Sequence, residues 1–195
     1  MVQEPRRLTS WADYLAVKRN LIRGLSGTVL ELGAGRGANF GYLAPDIDWI
    51  GLEPHDASRR ILARTAAGQV RTHRVLDAPA EHIPLPTASV DAVLCTVVLC
   101  SVTDPEAVLA EVRRVLRPGG RFVFVEHIGA PEGTGLRRLQ RVLSPLTRRF
   151  DRGCNPTRAT DRTIEEAGFR TVELERFQGL RRQLSSPFIA GTATT

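Results

Sequence analysis

The residues best suited to chemistry lie in one stretch, Val29-Leu30-Glu31-Leu32-Gly33-Ala34-Gly35-Arg36-Gly37-Ala38-Asn39. An apolar run carrying an acid breaks into three alternating glycines. Glycine has no Cβ and tolerates positive φ, so such a turn is tight and lets a ligand lie against the backbone. A strand, a Gly-x-Gly-x-Gly turn and a helix start make the first βα unit of a nucleotide-type α/β fold. Because Ala38 follows Gly37, the string also satisfies the relaxed dinucleotide fingerprint, and Glu31 and Glu53 suit either cofactor. A dehydrogenase and a methyltransferase both stand open on this stretch alone.

Other reactive side chains are few. His127, just past a strongly apolar segment, is the best base or orienting candidate, whereas His55, His73 and His82 read as helix-start, strand and loop residues. Cys95, Cys100 and Cys154 form no C-x-x-C pair and leave one over. Reduced thiols are the simple reading, and a metal site has almost no support. Cys95 and Cys100 read as small core residues.

The elements that must position these groups follow from periodicity. Ser10-Trp11-Ala12-Asp13 has the form of a capping box. Trp11, Tyr14, Leu15, Leu21, Ile22 and Leu25 then recur near helical spacing, predicting a leading helix within residues 1–27 that packs on a sheet or closes over a ligand. Strands are predicted at 28–32, 47–53, 70–76, 90–96 and 121–126, with helices at 38–43 and 55–67. Asp104 caps a further helix with Pro105 at its first position, and Arg117-Pro118-Gly119-Gly120 stops it. Past a loop at 129–135, Leu136, Leu139, Val142, Leu143, Leu146 and Phe150 mark an amphipathic helix with a potential break at Pro145. A loop at 152–158 and a helix at 160–167 lead to strands at 169–177 and 188–194. Their connection is too short for a helical crossover, so they should pair antiparallel.

A chain of 195 residues is long enough for one domain with a full core, and 1–195 is read as that single domain. No apolar run approaches the roughly 20 residues of a membrane span. Arg6 and Arg7 are not followed by the apolar core of a secretory signal, so a cytoplasmic location is expected. Residues 131–195 hold 12 of the 27 basic residues but only 7 of the 21 acids. The excess is chiefly Arg137, Arg138, Arg141, Arg148, Arg149 and Arg152; a general arginine bias or an anionic partner accounts for it. Oligomeric state is not legible.

Alternating β and α segments ending in an antiparallel pair predict a Rossmann-like α/β fold. Its sheet should have seven strands, mostly parallel with an antiparallel last strand, and helices on both faces. Four stretches, in order, give the chain a family likeness: Glu31–Asn39; Gly51-Leu52-Glu53-Pro54; Ala80-Glu81-His82-Ile83-Pro84 with Ser89-Val90-Asp91; and Val112–Gly120. Together they resemble a class I S-adenosylmethionine (SAM) dependent methyltransferase. Leu30–Phe40, Cys95–Val102, Glu126-His127, and Gly153-Cys154 with Thr157-Arg158 are similar to the methyltransferase-like small-thiol S-methyltransferases. Eukaryotic members of that family have a hydrophobic N-terminal anchor. This sequence shows none, so no membrane span is expected.

The resemblance implies SAM as cofactor and a small-molecule methyl acceptor. Gly33, Ala34, Gly35, Gly37, Asn39, Glu31 and backbone near Thr96 would surround the methionine end of SAM. Glu53 would accept from both ribose hydroxyls, Leu52 and Pro54 would sandwich the adenine with Ile83, and Ala80 and Glu81 would also contact the cofactor. Family members often carry an acid just before the Ala80-Glu81 pair; here that position is Pro79, and Asp77 or the Glu81 region would have to substitute. Tyr14, Val98, Cys154 and Arg158 are the expected acceptor contacts, His127 the orienting group or base, and residues 131–158 a substrate cover. Sulfur is the favoured acceptor atom, with oxygen, nitrogen or carbon of a small natural product as alternatives. This chain lacks the Asn-Pro-Pro-Tyr or Asp-Pro-Pro-Tyr type motif that a nucleic-acid methyltransferase carries after the fourth strand, so no nucleic acid is expected. A SAM-binding protein without catalysis is the remaining reading.

Overall fold

The computed structural model describes residues 6–7, 11–181 and 184–195. The elements are β1 (Arg6–Arg7), α1 (Trp11–Ile22), β2 (Thr28–Leu32), β3 (Asp48–Leu52), α2 (Asp56–Ala66), β4 (Thr72–Leu76) and β5 (Val90–Thr96). They continue with α3 (Pro105–Val115), β6 (Leu116–His127), α4 (Gly135–Phe150), α5 (Thr160–Glu166), β7 (Thr171–Arg181) and β8 (Leu184–Thr194). One sheet runs in the order β1-β7-β8-β6-β5-β2-β3-β4. Strand β8 is antiparallel to both β6 and β7, while every other pairing is parallel. The seven expected strands are present. Two-residue β1 adds an edge beside β7 that no side-chain period could announce.

Side-chain alternation sorts the two faces. Leu30, Leu32, Val93, Cys95, Phe122 and Phe124 point to the side covered by α3 and α5. Val29, Trp49, Leu94 and Val123 point to the side of Ile22, Leu62 and Ala66. A smaller cluster joins Tyr14 to Val125, Phe177 and Phe188, which docks α1 on the β6–β8 end of the sheet. Helix α3 starts as expected: Asp104 accepts from the Ala107 amide at 3.0 Å with Pro105 behind it.

Ser10 of the proposed capping box lies outside the described residues, and α1 begins at Trp11. Three other expectations are amended. The helix expected at 38–43 is only a 3₁₀ turn, Phe40–Tyr42, because Phe40 turns inward onto Trp49 with ring centroids 4.7 Å apart. The last two strands are longer than expected, paired from Thr171↔Thr194 to Arg181↔Leu184, since a ladder satisfies backbone groups whatever the side-chain pattern.

The third concerns α4, which runs unbroken through Pro145 but with its polarity reversed. Gln140, Ser144 and Thr147 face inward, with Gln140 Oε1 accepting from the Ala130 amide at 2.8 Å. Leu139, Val142, Leu143, Leu146 and Phe150 face out, Val142 and Phe150 being 76% and 75% exposed.

Candidate active site

Strand order reverses direction about β2, whose two neighbours are β3 and β5. Ligands of open α/β sheets bind beyond the carboxyl ends of the strands at such a point. The turns after β2 and β5 meet there. Gly33 has φ +54°, and a Cβ on it would lie 2.7 Å from Val98 Cγ2, so only glycine permits this approach. Gly35, at φ +61°, is bare: a Cβ there would meet nothing closer than 3.9 Å.

Above these turns opens a cleft of about 610 Å³, whose wall includes Gly33, Leu52, Glu53, Pro54, Ala80, Glu81 and Val98. Those seven expected contacts are therefore brought together. Glu53 ties the turn after β2 to the turn after β3: Oε2 accepts from the Gly35 amide at 2.8 Å and Oε1 from the His55 amide at 2.9 Å. A carboxylate has about four acceptor sites, so capacity for two further donors remains. Glu81 accepts from the Thr103 amide at 2.8 Å. Pro79 is on the wall too, but Asp77 is drawn aside into an ion pair with Arg59 at 2.9 Å.

Beneath the glycine turn lies a buried polar network. Glu31 accepts from Asn39 Nδ2 at 2.7 Å and from Trp49 Nε1 at 2.9 Å. Asn39 Nδ2 also donates to Thr96 Oγ1 at 3.1 Å. Burial pushes the Glu31 carboxyl up to about 7, against those two hydrogen bonds and the nearby Lys18 ammonium, which pull it down. Lys18 is itself lowered by burial, with Glu31 opposing. Ala34 is buried, its amide bonded to the Leu52 carbonyl at 3.1 Å, and the Gly37 amide closes the turn on Ala34 O at 3.0 Å. Asn39 Oδ1 is buried with no hydrogen-bond partner.

The remaining expected residues stand behind the wall rather than on it. His127 is buried with its ring edge-on to Phe188 at 5.3 Å, and Tyr14 meets the same ring at 5.4 Å. Both belong to the aromatic packing between α1 and the β6–β8 end. Arg158 spends Nη1 on the carbonyls of Leu99 and Val102 at 2.6 and 2.7 Å. Cys154 is buried against Cys100. Of the 131–158 segment, only its end reaches the cleft, through Arg149, Phe150 and Arg152; Arg152 crosses toward Ser58 Oγ of α2 at 3.4 Å.

Sequence reasoning missed Glu126. Adjacent residues of a strand face opposite ways. His127 joins the Phe188 side, whereas Glu126 shares the face of Phe124 and Cys95. Fully buried, it accepts from the Val98 amide at 2.9 and 3.1 Å, from Leu99 at 3.1 Å and from Cys95 Sγ at 3.2 Å. Burial raises it to about 7 despite these donors. The available signal was an acid ending an otherwise apolar strand.

These residues fit a bound SAM. Gly35 offers bare backbone, Glu53 a cleft-lining carboxylate with acceptor capacity left over, and Asn39 Oδ1 a spare buried acceptor below. Comparison with known proteins agrees. A methyltransferase domain family matches residues 30–124. Rat thiol S-methyltransferase TMT1B is 40% identical over 76% of this chain, which spans 62% of that relative's length. Human thiol S-methyltransferase TMT1A is 37% identical over 85% of this chain and 70% of its own. An S-adenosylmethionine-dependent methyltransferase structure from Mesorhizobium loti superimposes with TM-score 0.67 at 19% identity, covering 94% of this chain and 98% of that one. The likeness in fold, the Gly-rich turn facing Glu53 and the two relatives converge: this chain belongs to the SAM-dependent methyltransferase family.

Proposed function

We propose that this protein transfers the methyl group of SAM, by in-line displacement, to the sulfur of a small-molecule thiol. The similarity to two thiol S-methyltransferases over at least three quarters of the chain carries this reading. In it, Gly33, Ala34, Gly35, Gly37, Glu31, Asn39 and Thr96 hold the methionine end, and Glu53 takes the ribose hydroxyls. Leu52, Pro54, Ala80 and Glu81 flank the adenine. When bound, SAM supplies an electrophilic sulfonium methyl whose departure releases a neutral thioether.

A neutral leaving group needs no protein acid, so what these residues contribute is alignment and exclusion of water. A thiol of pKa near ~8.5 supplies its own anion and loses its proton to solvent. That chemistry suits a wall whose carboxylates, Glu53 and Glu81, are already engaged by backbone amides. Val98 borders the acceptor. Arg158 and Cys154 support that border from behind, and the end of α4 covers it.

The test is a panel of thiol, phenol and amine acceptors on one carbon skeleton, read by S-adenosylhomocysteine release. The thiol should turn over fastest, with a rate that climbs as pH approaches its pKa. A phenol or amine well above its thiol counterpart would overturn the sulfur assignment and leave methyl transfer standing.

A further inference from the structure

Val97 has φ +57°, a conformation that β-branched residues rarely adopt, at the point where β5 leaves the sheet. Its own amide still bonds the Val125 carbonyl of β6 at 2.9 Å. The left-handed turn then takes the next two amides, those of Val98 and Leu99, out of the ladder. Both end on the Glu126 carboxylate. An acid in a core is costly unless its oxygens are satisfied, and an apolar side chain would fill the space without that cost. Here the acid answers a specific need, because the amides of half-buried Val98 and buried Leu99 would otherwise lack these acceptors. Val98 is also the residue whose side chain abuts Gly33.

We propose that Glu126 is a positioning residue, whose carboxylate holds the Val97–Leu99 turn as the wall of the donor site opposite Gly33. The proposal rests on the reading that the Gly33 side of the cleft takes the methionine end of SAM. The carboxylate lies under the wall and touches no reactant. Its effect is to keep the cleft at a fixed width at one end only; the Glu53–His55 end hangs from different hydrogen bonds. Cys95, bonded to the same carboxylate from β5, completes the strap between the two strands.

The asymmetry gives the test. S-adenosylhomocysteine carries the amino-acid end, and 5′-methylthioadenosine lacks it. Calorimetry on Glu126→Leu should show S-adenosylhomocysteine binding weakened at least about tenfold and 5′-methylthioadenosine within about twofold of the parent protein. Glu126→Gln keeps one acceptor oxygen and should fall between, which carries the test should the leucine variant not fold. Amide exchange at Val98 and Leu99 should quicken in Glu126→Gln while Leu30 and Val93 stay protected. Equal losses for the two ligands would mean general loosening and overturn the proposal, as would no loss for either. Failure of the parent protein to bind S-adenosylhomocysteine would instead overturn the donor-site reading and this proposal with it. No acceptor is needed, so the outcome is separate from the thiol assignment.

Discussion

At the scale of single residues, the cleft is held together by carboxylates that accept from backbone amides. Glu53 shows the double duty this allows: it bridges Gly35 and His55, lines the cleft and has acceptor capacity left over. Glu53→Ala should cost two charge-assisted hydrogen bonds to the ribose, at roughly 1.5–3 kcal/mol each. SAM affinity should therefore fall at least about a hundredfold. Calorimetry on a variant with native circular dichroism checks this, and unchanged affinity would remove Glu53 from the ribose site. Asp77, the residue expected to replace the acid missing at Pro79, is instead paired with Arg59 at 2.9 Å.

Among the elements, α4 departs furthest from the ordinary pattern. A surface helix normally turns its apolar stripe to the core; this one buries Gln140 and exposes Val142, Leu146 and Phe150. Its inward contacts are hydrogen bonds, from the Ala130 amide to Gln140 and between Ser144 and Asn155. Replacing residues 136–150 by a short flexible linker thus removes little buried apolar area, and the melting temperature should change by only a few degrees. If the end of α4 covers the acceptor as proposed, acceptor kcat/KM should nevertheless drop by about tenfold or more. SAM affinity should move much less. Survival of both acceptor KM and kcat would reduce the segment to surface packing.

For the molecule as a whole, two acids sealed in the sheet set a pH dependence. Glu31 and Glu126 are each raised from 4.5 to about 7, with burial as the largest cause. The folded state then binds these protons more tightly than the unfolded chain does. Their contribution to stability is fully present below about 4.5 and is lost as pH rises toward about 7. Urea midpoints should fall across that window. Glu31→Gln should flatten the decline by at most the slope of one proton, about 1.4 kcal/mol per pH unit. A variant with the parent slope would show that Glu31 is ionised throughout.

The order of strands and helices, the glycine turn and the pairing of Glu31 with a nucleotide-type fold were legible in the sequence. They depend on local periodicity and backbone freedom, which neighbouring residues set. Seven of the expected contacts also meet at one cleft, because strand-end positions in an open α/β sheet converge whatever the loops do. Side-chain direction around this cleft was decided elsewhere. Whether Glu126 or His127 lies beneath the Val97–Leu99 wall turns on the parity of β6, which its pairing with β5 and β8 sets. Tyr14 and His127 meet Phe188, a residue from the far end of the chain, and Arg158 is claimed by carbonyls of the Leu99–Val102 turn. The apolar period of α4 was plain, but which side it turns outward depends on polar partners at Ala130 and Asn155. Such choices are made by contacts between segments distant in sequence, and only the folded chain contains them.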